Sequence, residues 1–204
     1  MNETILLSHG GGGEEMNRLI NETIFAAFDN EILRANNDSA ILNLDAGADF
    51  DRATPSSTLN SAASFGGELA FSTDSFVVTP LFFNGGDIGK IAVCGTVNDL
   101  AMVGAKPLFL SCALIIEEGL SLSELRRILD SMASTAQSCG VRIVCGDTKV
   151  VPRGKCDKIF INTSGIGRVL RPARVQNIKA GAKILLSGDI GRHGAVILAA
   201  RDEI

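Results

Sequence analysis

The order of apolar runs between residues 107 and 145 constrains the fold of this chain more than any other feature. Pro107–Ile116 is an apolar run of strand length, and Val141–Cys145 is a second, shorter one. Between them, Ser121 and Glu124 have the spacing of a capping box, which opens a helix, and Gly140 is suited to end it. The residues expected to face inward on this helix are Leu122, Leu125, Ile128, Leu129 and Met132. A strand, a helix and a strand in succession predict an α/β fold.

The segment before this unit predicts a helix that carries an aspartate on its apolar side. In the helix predicted at Gly89–Met102, one stripe contains Ile88, Ala92, Gly95 and Asp99, which lie at i, i+4, i+7 and i+11. The turn Asn84–Asp87 precedes it. A carboxylate on a buried face costs several kcal/mol unless a cation or hydrogen-bond donors meet it. Asp99 therefore indicates a binding site rather than a surface position.

The N-terminal part predicts a strand, a glycine loop and a helix. A strand near Thr4–Leu7 leads into the tetraglycine Gly10, Gly11, Gly12 and Gly13. The helix that follows keeps helical spacing of its apolar residues, Met16, Leu19, Ile20, Ile24 and Phe28. Asn36–Gly67 has one short apolar run, Ile41–Leu44, and is otherwise expected to be a long connection.

Two more strands and a final set of elements follow from the pattern. Leu69–Val78 is predicted as a strand that carries Asp74, and Lys158–Gly165 alternates like a strand with one wet face. Asp147 is expected just past the end of the 141–145 strand. Arg171–Gly181 is interpreted as a linker. A strand at Lys183–Leu186 and a helix at His193–Ala200 then begin a second domain, so the predicted domains are residues 1–170 and 171–204.

Composition excludes several classes of function. The 204 residues carry a net charge of −4 without a basic stripe, and there is no Trp or Tyr on which bases could stack, so we expect no nucleic-acid partner. There is no signal-length or membrane-length apolar stretch, so we expect no membrane partner and a cytoplasmic location. The five cysteines, Cys94, Cys112, Cys139, Cys145 and Cys156, include no C-x-x-C pair and suggest neither a disulfide framework nor a zinc site.

Three aspartates, Asp74, Asp99 and Asp147, lie inside or at the end of apolar elements. Aspartates placed in this way are expected to bring their carboxylates into one cleft. Carboxylates are ligands of Mg²⁺, and substrate phosphates commonly complete its coordination. The three residues therefore predict a magnesium site and a nucleoside triphosphate ligand. The alternative is that each aspartate caps a helix or turn, which is about equally expected for any one of them but not for all three.

Two further features have both a functional and a plain interpretation. The tetraglycine before a helix suits phosphate binding, since glycine N–H groups approach a ligand closely, but Glu14 and Glu15 follow it and the Lys of a P-loop is absent. A flexible entry loop is the other interpretation. Lys149 either neutralises charge on phosphate or is a solvated surface lysine. His9 and His193 are given no role.

In chain order, the motifs resemble the PurM-like family of ATP-binding enzymes, which includes aminoimidazole ribonucleotide synthetase, and within it the HypE-like hydrogenase maturation factors. The segments that carry this resemblance are His9-Gly10, Ser72-Thr73-Asp74-Ser75, Pro80-Leu81-Phe82-Phe83, Ile88-Gly89-Lys90, Cys94-Gly95-Thr96-Val97-Asn98-Asp99, Glu117-Glu118-Gly119 and Gly146-Asp147-Thr148-Lys149-Val150-Val151, with Phe160–Thr163 and Gly188–Gly194. It covers nearly the whole chain and is weakest over Asn30–Gly67.

The resemblance implies a PurM N-terminal-type domain, a mixed sheet with helices on one face, whose sheets pair in a homodimer. It implies ATP and Mg²⁺ as cofactors, with the metal on Asp74, Asp99 and Asp147, and with Lys149, Asn98 and Asp99 in catalysis. The implied reaction is ATP-dependent dehydration of a C-terminal cysteine S-carboxamide to a thiocyanate, the cyanide source of [NiFe] hydrogenases. The implied partners are the carbamoyltransferase HypF and the HypC-HypD complex.

The sequence departs from this pattern at its end. HypE-like chains continue through a second domain to a terminal cysteine, whereas the last cysteine here is Cys156. We therefore expect this chain alone not to complete the reaction. Two alternatives stay open: another PurM-like ATP-dependent synthetase or kinase, and a non-catalytic fragment that dimerises and docks partners.

Overall fold

The computed structural model describes residues 5–11, 13–28, 30–35, 37–43 and 67–202, and the chain forms two compact units, residues 1–37 and 38–204. The first unit is helical. Its elements are a 3-10 turn at Leu7–Gly10, α1 at Glu14–Leu19, a π-helical segment at Ile20–Phe25, α2 at Ala26–Phe28 and α3 at Glu31–Arg34. The predicted helix is confirmed. The predicted strand is wrong over its described residues, because the Leu6 N–H donates to His9 Nδ1 at 2.9 Å and closes a turn.

The second unit is built on a five-stranded sheet. Its strands are β1 at Ala40–Asn43, β2 at Glu68–Phe76, β5 at Ala105–Glu117, β6 at Arg142–Val151 and β7 at Ile159–Val169. Their order is β1-β2-β7-β5-β6, and all neighbours are antiparallel except the parallel pair β5 and β6. A small hairpin, β3 at Phe82–Phe83 and β4 at Gly86–Asp87, lies before the first long helix.

Two long helices pack against one face of this sheet. These are α4, Ile88–Met102, which contacts β2, β7 and β5, and α5, Leu122–Cys139, which contacts α4 and β6. The main core lies between helices and sheet and includes Ile88, Ala92, Val93, Leu110, Ile128, Met132, Ile159 and Ile161. The other side of the sheet, called here the open face, carries residues such as Phe71, Thr73, Ser75, Ile115, Ser164 and Ile166. The predicted mixed sheet with helices on one face is confirmed.

Local signals place α5 correctly. Ser121 Oγ accepts a hydrogen bond from the Glu124 N–H at 3.1 Å, and Gly140 ends the helix with a φ of 68°. The buried positions are Ile128, Met132 and Ala136, which step by four residues. The inward placement of Leu122 and Leu129 is wrong, with exposures of 69% and 39%, since Leu129 is rotated about 100° from Ile128 around the helix axis.

Strand β6 differs most from its prediction. A buried strand was expected at Val141–Cys145, yet β6 continues to Val151 and is exposed along nearly its whole length. It continues because residues 145–151 keep pairing with β5, and it is exposed because it lies at the edge of the sheet order. Asp147 therefore lies inside a strand and not just past its end.

Residues 171–202, the described part of the C-terminal segment, contain a 3-10 turn at Val175–Asn177 and the helix α6 at Arg192–Ala200, whose Ile197 is buried. The predicted helix is confirmed. The strand predicted at Lys183–Leu186 is wrong: no strand among the described residues pairs with it, and Ile184 is 97% exposed. The domain boundary at residue 170 stays a prediction. Within the described ranges, no helix combines the length and apolar character needed to cross a membrane.

Candidate functional site: an aspartate pair between β2 and α4

The junction between β2 and α4 brings together two of the predicted site residues. Along β2 the side chains alternate, so Ser72 is buried and Asp74 is half-buried on the helix side of the sheet, while Thr73 and Ser75 are exposed. On α4, Asp99 is half-buried, and Ser72 Oγ donates to Asp99 Oδ2 at 2.9 Å. The prediction that Asp99 lies on the apolar side of its helix is confirmed, although it occupies the margin of the buried stripe.

The close approach of β2 to α4 depends on Gly95. A Cβ at this position would lie 2.6 Å from Phe76 Cζ and 3.2 Å from Asp74 Oδ2. The bare glycine thus leaves room for the Asp74 carboxylate against the helix, one turn before Asp99. The Ser75 N–H donates to Asp74 Oδ1 at 2.8 Å and fixes the other oxygen of that carboxylate.

The site holds negatively charged aspartates close to one another. Burial raises the pKa of Asp99, the hydrogen bond from Ser72 opposes this, and the negative charges of Asp74 and Asp38 raise it further. Among the described residues, no lysine, arginine or histidine forms an ion pair with Asp74 or Asp99. Among its described residues, the chain therefore brings negative charge together without an ion-paired cation to neutralise it.

Asp38 was missed by sequence reasoning. It lies in a polar stretch that was interpreted as a connection, two residues before β1, and it is exposed. Its position before a short apolar run differs from the setting of Asp74 and Asp147, which lie inside or at the end of apolar runs, so the sequence offers no comparable signal for Asp38.

A buried hydroxyl network holds α4 on the sheet beneath this site. The side chains of Thr96 and Thr163 share a hydrogen bond of 2.6 Å, and Thr163 Oγ1 donates to the Ala92 carbonyl at 2.8 Å. Both threonines are fully buried, so these bonds are shielded from water. On the open face, Asn162 Nδ2 donates to the Asp74 carbonyl at 3.0 Å. Both sides of the sheet thus fix the backbone that carries the aspartates.

A cavity of about 360 Å³ lies beside the aspartate pair and is lined in part by Phe76, Ile91, Cys94, Gly95, Asn98 and His193. Asn98, a predicted catalytic residue, is exposed towards it. His193, for which the sequence predicts no role, comes from the start of α6. The cavity therefore joins the Cys94–Asp99 motif to the Gly188–Gly194 motif.

Asp147 and Lys149 lie elsewhere. Asp147 pairs with Ala113, which pairs with Asn162, so Asp147 is on the open face, whereas Asp74 is on the helix face. Three strand steps separate β6 from β2, which is about 14 Å along the sheet. Lys149 Nζ donates to both Asp147 oxygens at 2.9 and 2.6 Å, and this contact lowers the pKa of Asp147. Within one chain, the three aspartates do not meet in one cleft as predicted.

The glycine tract lies in the N-terminal unit. Gly10 ends the 3-10 turn, Gly11 follows it, and Gly13 is the N-cap of α1, while Gly12 lies outside the described residues. The N-cap makes no side-chain hydrogen bond, and Glu14 and Glu15 occupy the first turn. A phosphate role for these glycines stays a prediction.

The donors at the aspartate pair suit a hard cation. In the part of the chain that the structure describes, no three Asp, Glu, His or Cys side chains form a ready metal cage. Asp74 and Asp99 nevertheless offer carboxylate oxygens, and the Ser72 hydroxyl lies 2.9 Å from Asp99 Oδ2. Mg²⁺ keeps several waters and is usually held by one or two carboxylates plus phosphate oxygens. The residues present therefore fit magnesium better than a metal that requires a complete protein cage.

Comparison with known proteins defines the family. Residues 59–169 match the family described as AIR synthase related protein, N-terminal domain, and this chain belongs to that family. It is similar to the carbamoyl dehydratase HypE of Escherichia coli K12, with 46% identity over 98% of this chain and 56% of that protein. The chain spans about half the length of the curated relatives it matches.

Two solved structures extend the similarity. The crystal structure of a HypE-HypF complex matches with a TM-score of 0.76 and 49% identity, covering 91% of this chain and 54% of the other. The crystal structure of HypE in complex with ATP matches with a TM-score of 0.58 and 45% identity, covering 98% and 54%. The resemblance drawn from the motifs is thereby confirmed.

Proposed function

We propose that this chain is the nucleotide-binding portion of a HypE-like, ATP-dependent carbamoyl dehydratase. The observation that carries the proposal is the Asp74 and Asp99 pair, which shares its negative potential with Asp38. A divalent cation between the carboxylates and the phosphates of ATP would offset this charge. That a similar HypE has been crystallised with ATP supports the choice of nucleotide.

In the whole protein, the carboxamide oxygen of an S-carbamoylated cysteine would take the γ-phosphoryl group of ATP, with ADP as the leaving group. Loss of that oxygen as inorganic phosphate, with both protons of the amide nitrogen, would then leave a thiocyanate. Bound magnesium would supply charge neutralisation at the phosphates. Asp74 and Asp99 would hold it, and Asn98 would orient the reacting groups from the cavity wall. Lys149 would stabilise charge or move a proton, which requires it to exchange its contact with Asp147. We place Asp147 in a separate part of the site, on the open face.

We further propose a homodimer formed by the open face. Phe71, Ile115 and Ile166 are 43%, 43% and 38% exposed there, between hydroxyl side chains. A sheet face of this kind is normally covered in a folded protein. A second copy of the chain is the occupant implied by the family resemblance. The same resemblance is the basis for proposing HypF and the HypC-HypD complex as partners in the cytoplasm, and the HypE-HypF complex of a similar protein supports HypF alone.

The test is the melting temperature of the chain with ATP, with Mg²⁺, with both and with neither. A ligand that binds only the folded state at 100 times its Kd stabilises by about 2.7 kcal/mol, which for a chain of this size raises the melting temperature by roughly 5–10 °C. We expect that rise only when ATP and Mg²⁺ are both present. The matched variants are Asp99→Asn, which should lose the rise, and Asp130→Asn, an aspartate on the exposed side of α5, which should keep it.

The same rise with ATP alone would exclude the metal. No rise under any condition, together with retained binding to HypF, would replace the proposal with a docking fragment.

A further inference from the structure

Two of the five cysteines come from packed helices and lie together. Cys94 is on α4, and Cys139 is the last residue of α5. Burial raises the pKa of Cys94, and the charge and side-chain hydrogen bonding of Cys139 raise it further, which places the two side chains close together. The two helices are in contact, as shown by Gly89, whose Cβ position would lie 2.8 Å from Met132 Cγ. The thiols are therefore neighbours across an interhelical contact, although 45 residues separate them in sequence.

The surroundings of the pair differ from those of the other cysteines. Cys139 is exposed, so a small oxidant reaches it, while Cys94 is half-buried at the wall of the 360 Å³ cavity. Burial raises the pKa of Cys94, and the charge of Lys90, one helical turn earlier, acts against that rise. By contrast, Cys112 packs against the core, and Cys156 Sγ donates to the Ile115 carbonyl at 3.6 Å.

We propose that Cys94 and Cys139 are a modification site, at which exchange with a small-molecule disulfide forms a reversible bond between α4 and α5. In the first step the Cys139 thiolate attacks the reagent and releases one small thiol, which leaves a mixed disulfide on Cys139. In the second step the Cys94 thiolate attacks that sulfur, and the second small thiol leaves. The protein loses two thiol protons and two electrons, and the reagent gains both.

The bond would form beside the candidate site. Cys94 lies one helical turn before Asn98 and shares the cavity with Asn98 and His193. The bond would tie α4, from which Cys94 reaches the cavity wall, to the end of α5. Any effect of this bond on nucleotide binding rests on the proposed function, whereas the bond itself does not.

The experiment incubates the purified chain in a series of reduced and oxidised glutathione mixtures, followed by acid quenching, alkylation and peptide mapping by mass spectrometry. We expect free thiols to fall from five to three per chain, with one linked peptide pair containing Cys94 and Cys139, and full reversal by excess reduced glutathione. Cys94→Ser should stop at glutathione on Cys139, and Cys139→Ser should give no linked pair. Cys145→Ser removes another exposed cysteine and should leave the linked pair unchanged.

Two results would overturn the proposal. One is accumulation of a mixed disulfide at Cys139 in the wild-type chain without any linked peptide at the most oxidising ratio. The other is pairing of either cysteine with Cys145, Cys112 or Cys156. A separate measurement addresses the coupling: the oxidised chain should show a smaller rise in melting temperature with Mg²⁺ and ATP than the reduced chain. If the oxidised and reduced chains show equal rises, and the linked peptide has been mapped in the oxidised chain, the disulfide forms but does not affect nucleotide binding.

Discussion

The β2–α4 junction and the β6 edge hold aspartates in opposite electrostatic settings. At the junction, Asp99 is half-buried near Asp74 and Asp38, and its pKa is raised. On β6, Asp147 is exposed, receives both hydrogen bonds from Lys149, and has a lowered pKa. The first setting accumulates charge that a ligand can neutralise, and the second is already neutralised. Identical residue types in similar sequence settings thus have opposite electrostatic environments.

The largest effect is expected from a substitution that changes the packing of the β2–α4 junction. Gly95→Ala places a methyl group 2.6 Å from Phe76 Cζ, which should destabilise the fold by about 1–3 kcal/mol and lower the melting temperature by roughly 2–10 °C. It should also weaken the response to Mg²⁺ and ATP, because β2 must move away from α4. Gly188→Ala is the control, since nothing lies within 4 Å of the added carbon. Equal melting temperatures for both variants would show that β2 and α4 have room for a methyl group at residue 95, which contradicts the close contact with Phe76.

Removing the charge of Asp99 at the junction, or of Asp147 on β6, should have a smaller effect on the melting temperature. Without magnesium, Asp99→Asn should raise the melting temperature by up to about 3 °C, since relief of repulsion at a partly solvated site is worth about 1 kcal/mol or less. The amide keeps an oxygen that accepts from Ser72. Asp147→Asn loses its ion pair with Lys149 and should not raise the melting temperature. If both variants shifted in the same direction, the contrast would fail.

The pH dependence should have opposite signs in the two regions. The folded pKa of Asp99 lies above its unfolded value, so its ionisation favours the unfolded state. Relative to Asp99→Asn, the wild-type chain should lose stability as pH rises from the unfolded pKa through the raised one. The pKa of Asp147 is lowered, so its contribution is present above the unfolded pKa and is lost as pH falls through the folded one. Urea unfolding of wild type and both variants across acidic pH measures this, and parallel curves would contradict it.

The smallest effect concerns Lys149 itself. Lys149→Met removes the largest cause of the lowered pKa of Asp147, so that pKa should move back up. The melting temperature should fall only slightly, because the pair is exposed. A carbon-detected NMR titration of the Asp147 carboxyl group follows this directly. An unchanged pKa would mean that Lys149 does not hold the contact in solution.

Local signals in the sequence were sufficient to predict the ends of α5 and the buried side of α4. The capping box at Ser121 and the glycine at 140 act within one turn, so the sequence alone predicts where α5 begins and ends. Helical periodicity also placed Asp99 on the correct side of α4. These features depend on neighbours within about four residues.

Long-range pairing explains what the sequence did not reveal. The polar half of β6 is a strand because of its register with β5, which lies more than 30 residues earlier. The separation of Asp147 from Asp74 follows from the sheet order, in which β7 and β5 lie between β6 and β2. Asp38 was missed because its proximity to Asp99 arises from the fold and not from any motif around it.

The strand order also has a consequence for how the chain reaches its native state. Strands β5, β6 and β7 are consecutive in sequence, whereas β2 pairs with β7 through contacts such as Asp74 with Thr163, which are 89 positions apart. Closing such a long loop slows pairing and raises its entropic cost. We predict that the β5–β7 segment condenses first and that the aspartate junction is assembled last, so that backbone amides of β2 gain protection from hydrogen exchange later than those of β5 during refolding. Simultaneous protection of both strands would contradict this order.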